Sequence, residues 1–434
     1  MAETEVQGLS FTELAERFGT PLYVYDADLL VGQYRRLRDV LHPAMEMFFS
    51  LKSNPALAVC AVLNRLGARA EVSSLAELVT ARRAGMQPDD IVFVGPGKSR
   101  EELEACVDIG VHAVVVESAG ELALLDEVSR GRGRVTPVAL RVNPDFVVKG
   151  SQLTMGGRSR QFGIDVGLLG QLAGDVRRLS GVRPIGLHVY LGTRILDEGV
   201  VAQNTARILD LARRLAADGW PMAFVDVGGG LGVAYFDGER DPDPVRLAEL
   251  VNPHLARFTA ERPGTRLALE LGRYLTAPCG TYLVRVRYVK ESQGESWAVV
   301  DGGTHHHMAA VGIGSYVKRN FPIRLLRAAA AEPRPWNVAG PLCTPNDTLG
   351  WRVSLPRLLP GDLLGVQRSG AYGPTASPGR FLSHGFPAEV LVQDGRAHLI
   401  RRRDTVDDLL RQQSLPDGVA VPAALGSPDV PRFH

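Results

Sequence analysis

Lysine is scarce in this 434-residue chain: only Lys52, Lys98, Lys149, Lys290 and Lys318 occur, against a basic set dominated by arginine. Chemistry that needs a primary amine must use one of them. Cysteine is sparse too. Cys60, Cys106, Cys279 and Cys343 are scattered without metal-ligand spacing, which excludes a disulfide-stapled scaffold and fits a reducing cytoplasm. No apolar run reaches the roughly 18 residues of a membrane span, and the start MAETEVQGLS has neither a basic nor an apolar leader segment. A secreted or membrane-spanning product is not expected. Charge of one sign is also missing: 49 basic and 48 acidic residues leave a net of +1, so bulk electrostatics gives no reason to expect a nucleic-acid partner.

Hydrophobic residues make up 45% of the chain, enough for a packed core, and the length predicts two or three domains at roughly 100–200 residues each. Short apolar runs recur at 45–52, 68–73, 91–95, 112–117, 137–142, 184–191, 223–227 and 266–270. Most are rich in Val, Phe, Ile or Leu, often at consecutive positions, as strands buried on both faces of a parallel sheet require. Helical spacing fills 56–66, 75–84, 100–108, 119–130 and 199–218 between them. Strands alternating with helices in this way point to a (β/α)8 barrel over 26–275; a doubly wound sheet is the competing arrangement. Beyond 275 the rhythm changes. Runs at 281–291, 296–303 and 388–395 with Gly-rich turns predict an all-β domain of antiparallel strands over 276–415. Residues 1–25, ending in PLYVY, are expected to pack on that domain, and 416–434 to form a flexible Pro/Gly-rich tail.

Polar residues collect at the C-terminal ends of the apolar runs: Lys52, Glu71, His188 with Tyr190, Gly228–Gly229–Gly230, and Glu270 with Arg273 just beyond. In a barrel these ends share one mouth, where active sites of that architecture lie. Lys52 in FFSLKSN is either a snorkelling rim lysine or an amine of depressed pKa that carries a carbonyl cofactor as a Schiff base. GGGLG exposes backbone N–H groups that suit a phosphate, although tight turns need glycine in any case. Glu270 either pairs with a neighbouring arginine or faces a pyridine nitrogen and keeps it protonated. The triplet His305–His306–His307, read as extended, alternates sides and does not favour a shared metal ion. Cys343 and Tyr372 fall in loop-like sequence, where chemistry is often placed.

Taken in order, these motifs resemble the fold-type III pyridoxal-phosphate-dependent decarboxylases, whose barrel is of the alanine-racemase type and whose members include diaminopimelate and ornithine decarboxylases. The resemblance runs from about residue 20 to about residue 410. It implies pyridoxal 5'-phosphate as cofactor, a C-terminal β domain, and a head-to-tail homodimer with shared active sites. Motif by motif, Lys52 matches the lysine that carries the cofactor, and Gly228, Gly229, Gly230, Arg273 and Tyr372 match the phosphate-binding set. Glu270 matches the acid at the ring nitrogen, Thr193 the small hydroxyl residue near the cofactor, and His188 the first of a paired-histidine motif. Cys343 matches the cysteine that reaches across the dimer to protonate Cα. Thr344, Asp347, Tyr372 and His306 fall near the substrate.

Three departures bear on specificity. Tyr190 replaces the histidine that stacks on the cofactor ring; Thr344 replaces the acid that holds a distal ammonium in diaminopimelate decarboxylases; THHHMAAVGIG replaces a segment with an arginine that grips a distal carboxylate. DGGTHHH with AGPLCTPND is closer to specialised members of natural-product (antibiotic) assembly, such as the butirosin-pathway type acting on a glutamyl group carried by an acyl carrier protein. That likeness implies a carrier-bound amino-acyl substrate and an acyl carrier protein as partner, with Arg158, Arg160, Arg319 and Arg324 as candidate contacts. A decarboxylase of a free amino acid is the alternative. A racemase of the same fold is a further one, although Glu270 stands where racemases use arginine. A noncatalytic pyridoxal-phosphate carrier protein would lack the β domain and the cysteine loop.

Overall fold

A computed structural model describes residues 4–146, 153–154, 159, 161–176, 178–312, 319–328 and 332–419. Arg158, Arg160 and the tail from 420 onward lie outside the described residues. Eight strands form a closed parallel barrel: β1 (Met45–Ser50), β2 (Arg69–Val72), β3 (Ile91–Phe93), β4 (Ala113–Val116), β5 (Thr136–Asn143), β6 (Val182–His188), β7 (Phe224–Asp226) and β8 (Arg266–Leu271). Each pairs with the next, and β8 pairs back onto β1. The ring closure decides for the barrel over the open doubly wound sheet. Phe48, Val92, Val115, Ala139, Ile185, Phe224 and Ala268 fill the barrel interior, and complete burial of a phenylalanine there is worth roughly 1.5–3 kcal/mol.

Local sequence sets the helix entries. Ser74, Ser99 and Ser118 each accept the backbone N–H three residues on, from Glu77, Glu102 and Glu121, and start the helices Leu75–Arg83, Arg100–Ile109 and Ala119–Gly131. The helix Pro244–Glu261 is absent from the sequence reading because Pro253 interrupts its pattern.

The second domain is built on a mixed sheet rather than a purely antiparallel one. Leu22–Asp26 lies in its middle, antiparallel to Gly280–Ser292 and parallel to Ala388–Gln393. Glu295–Val300 and Arg334–Ala339 also run parallel. Because the N-terminal strand is inserted between two C-terminal ones, the two chain ends hold one sheet together before the helix Ala27–Arg38 leads into the barrel. No helix among the described residues is long and apolar enough to cross a membrane.

Candidate active site

The barrel mouth opens into a cavity of about 540 Å³, lined among others by Lys52, Arg141, Phe162, His188, Tyr190, Thr193, Glu270, Arg273 and Tyr372. Lys52 does not sit on β1 as the sequence pattern suggests. The strand stops at Ser50, and Leu51–Ser53 forms a tight turn that turns the lysine to the mouth. Its Nζ donates to both oxygens of Glu71, at 2.9 and 2.8 Å, and Glu71 also accepts the Ser73 hydroxyl at 3.1 Å. Burial alone would favour the neutral amine, but Glu71 and then Glu270 outweigh it and raise Lys52 above its ordinary value. In the cofactor-free chain the side chain is therefore paired as an ammonium to a carboxylate, which differs from the depressed amine of one of the two sequence readings.

Opposite, Glu270 is buried at the end of β8 with its Oε1 3.0 Å from His188 Nε2. Arg141 of β5 stands in register with His188 and pairs with the buried Glu117 at 2.8 Å. The β6 strand ends at His188, two residues before Tyr190, so the tyrosine stands in the loop with its ring 5.9 Å from Lys52 Nζ. Burial pushes the Tyr190 phenol up to about 12, so it stays neutral at ordinary pH.

The glycine run is explained first by close packing. A Cβ at Gly229 would come within 2.0 Å of the Glu270 carbonyl oxygen, and one at Gly230 within 2.2 Å of that of Gly192. Gly228 and Gly230 also take left-handed backbone, with φ of 68° and 103°. Beside this turn, Arg273 Nη1 donates to the Tyr235 hydroxyl at 3.1 Å and its guanidinium lies 4.6 Å from the Tyr372 ring. Its Nε is buried with no hydrogen-bond partner among the described residues. Tyr372, at φ 54°, is held over the mouth from the second domain: its N–H donates to Ser53 O at 2.7 Å, and Asn54 Nδ2 donates to Gly370 O at 2.9 Å.

The other expected residues do not join this cavity. Cys343 is exposed. Asp347 is buried and accepts the N–H groups of Thr304 at 2.6 Å and Leu342 at 2.7 Å, contacts that shape the loop carrying Cys343 and Thr344. His306 is likewise buried away from the mouth, bonded to the Tyr282 hydroxyl at 3.1 Å and Gly385 O at 2.9 Å. The triplet is not extended, because Gly303 O accepts the N–H groups of both His306 and His307 in a turn. Arg319 pairs with Glu239 at 3.2 Å. Sequence reasoning missed Arg141, Phe162 and Asp226 as neighbours of this centre. The available signal was a charged residue near the end of an apolar run, in ALRVN and in FVDVGGG.

A cavity with a lysine and a buried carboxylate, and with a guanidinium whose buried Nε lacks a partner among the described residues beside a glycine turn, fits a phosphorylated aldehyde bearing a basic ring nitrogen. Residues 28–277 match the family model "Pyridoxal-dependent decarboxylase, pyridoxal binding domain". The chain belongs to the pyridoxal-dependent decarboxylases. This decarboxylase is 38% identical over 408 residues to the L-glutamyl-[BtrI acyl-carrier protein] decarboxylase of Niallia circulans, covering 93% of this chain and 95% of that one. It is 33% identical over 416 residues to the diaminopimelate decarboxylase of Pseudomonas aeruginosa, covering 95% and 97%. Among solved structures, the diaminopimelate decarboxylase of M. jannaschii in complex with L-lysine matches with a TM-score of 0.88 and 28% identity, over 94% of this chain and 95% of that one. The protein is thus a carboxy-lyase that uses pyridoxal 5'-phosphate and acts on an amino acid or amino-acyl group.

Proposed function

We propose that this enzyme removes the α-carboxylate of a free amino acid of the diaminopimelate class. The support is that relatives of this kind recur: diaminopimelate decarboxylases 28–33% identical over 93–95% of this chain come from several bacteria and archaea, and solved diaminopimelate decarboxylases match its fold over 93–94% of its length. A second reading, a glutamyl group carried on an acyl carrier protein, is favoured by the 38% identical relative and by Thr344 standing in place of an acid. The internal use of Asp347 also favours it, because it leaves the loop without that carboxylate for a distal ammonium.

In both readings pyridoxal phosphate supplies the electron sink that accepts the Cα electron pair when carbon dioxide leaves. Lys52 Nζ is the amine that would hold the aldehyde, and Glu71 positions it and balances its charge. Glu270, steadied by His188, would face the ring nitrogen. Arg273, Tyr372 and the N–H groups of the glycine turn take the phosphate, with Thr193 beside it. Tyr190, which lines the same cavity, would pack against the ring and limit its tilt. Cys343 Sγ, from a second copy of the chain in a head-to-tail homodimer, would be the proton donor to Cα, a reading supported by its exposure and its absence from this chain's own cavity lining.

The deciding measurement is carbon dioxide release from free diaminopimelate, lysine, ornithine, glutamate and aspartate beside glutamyl-loaded carrier protein. Turnover of free diaminopimelate, with none of the loaded carrier, is the expected result; the reverse pattern establishes the second reading and overturns the first.

A further inference from the structure

Asp226 ends β7, stands in register with His188 and is completely buried. Its Oδ1 accepts the Gly228 N–H at 2.8 Å, while its Oδ2 has no hydrogen-bond partner among the described residues. One polar side-chain atom from each of His188, Asp226 and Glu270 lies within 4.8 Å of the other two. Two buried carboxylates that close oppose each other's ionisation, which raises the pKa of one of them. The surroundings decide which one keeps a proton. Glu270 receives His188 Nε2 at 3.0 Å and lies in the field of Lys52 and Arg141. Asp226 has one backbone N–H; Glu71 opposes its ionisation and Lys52 favours it from further off.

We propose that Asp226 is a positioning residue that holds the pair's proton on Oδ2 as a neutral carboxylic acid, so that Glu270 remains the anion of the site. The inference rests on the reading of Glu270 as the acid facing the cofactor's ring nitrogen. Burial pushes the Asp226 carboxyl well above the usual carboxylate range and the Glu270 charge adds to this. Burial acts the same way on Glu270, but His188 and then Lys52 and Arg141 reverse it and hold Glu270 low. An ionised Asp226 would drive the proton onto Glu270, which would then lose its power to keep a ring nitrogen protonated. Through Oδ1 the same side chain fixes Gly228, so one residue links the ring-nitrogen end of the site to the glycine turn.

Infrared difference spectra of the cofactor-free protein test this directly. At pH 7, wild-type protein minus Asp226→Asn is expected to show the carbonyl band of a protonated carboxylic acid, and in wild-type protein carrying carboxyl-13C aspartate that band must shift with the isotope. The isotope experiment needs no variant to fold. With 15N-labelled pyridoxal phosphate bound, Asp226→Asn keeps a neutral hydrogen-bonding group and is expected to leave the ring nitrogen protonated, with kcat down less than about tenfold. Asp226→Val removes that group; the 15N shift moves toward the unprotonated value and kcat falls more than about 100-fold. A missing acid band in wild type, or an Asn variant as impaired as the Val variant, overturns the proposal. A protein that shows the acid band but never takes up pyridoxal phosphate refutes the cofactor reading alone, so the two failures are distinguishable.

Discussion

At the residue scale the contact that governs the site is Lys52 to Glu71. Because carboxylates and not burial set the state of this amine, removing Glu71 should lower the Lys52 pKa. Uptake of pyridoxal phosphate by cofactor-free protein requires the neutral amine. In Glu71→Gln the pH profile of uptake should therefore move to lower pH by at least about one unit, measured as growth of the cofactor's visible band. An unmoved profile would mean that Glu71 does not set the lysine's charge. Lys52→Ala should abolish that band and lower turnover more than about 1000-fold. Lys52, Glu71 and Glu270 were all legible as polar residues at the ends of apolar runs. The ion pair was not, since 19 residues separate its partners and only the parallel pairing of β1 with β2 brings them together.

At the scale of elements, the glycine turn is a packing requirement before it is a binding site. Alanine at position 229 would press its Cβ against the Glu270 carbonyl oxygen, at 2.0 Å. Gly229→Ala should cost about 1–3 kcal/mol of stability and weaken cofactor affinity together with it, read by denaturant melts and by cofactor titration. A stable variant with normal affinity would refute this account. The histidine turn supports a prediction of pH dependence. Burial lowers His305 to about 4 and His307 to about 3, so between there and the ordinary value near 6.5 the unfolded chain binds protons that the folded chain does not. Stability is then full above about pH 6.5 and declines as pH falls toward 4. His307→Gln should flatten that decline in urea melts at pH 7 and 4.5. Sequence alone placed the three histidines correctly in the chain but not in a turn, because backbone bonds to Gly303 override the extended reading.

At the scale of the whole molecule, two groups of expected residues separate. Lys52, His188, Tyr190, Thr193, Glu270, Arg273 and Tyr372 line one cavity, whereas the loop residues Cys343, which is exposed, and Thr344 are not among its lining residues. If a second copy supplies that loop, inactive Lys52→Ala and Cys343→Ala proteins mixed in equal amounts should recover about a quarter of wild-type activity, since half the dimers would be mixed and each would hold one intact site. No recovery on mixing, with subunit exchange shown separately, would place the cysteine outside the partner's site.

The alternation of buried strands with capped helices and the chemistry of the strand ends are properties of local sequence. They narrowed the fold to a barrel or a doubly wound sheet and marked Lys52, while the ordered motifs carried the family resemblance that implied the barrel and the cofactor. Local pattern carries such information because burial on both faces and helix capping act over a few residues. Ring closure, the N-terminal strand inside the C-terminal sheet, the pairing of Lys52 with Glu71 and the proximity of Asp226 to Glu270 were decided by the tertiary structure alone. Each depends on distances between residues far apart in the chain, and buried charges respond to those distances far more steeply than to any neighbour in sequence.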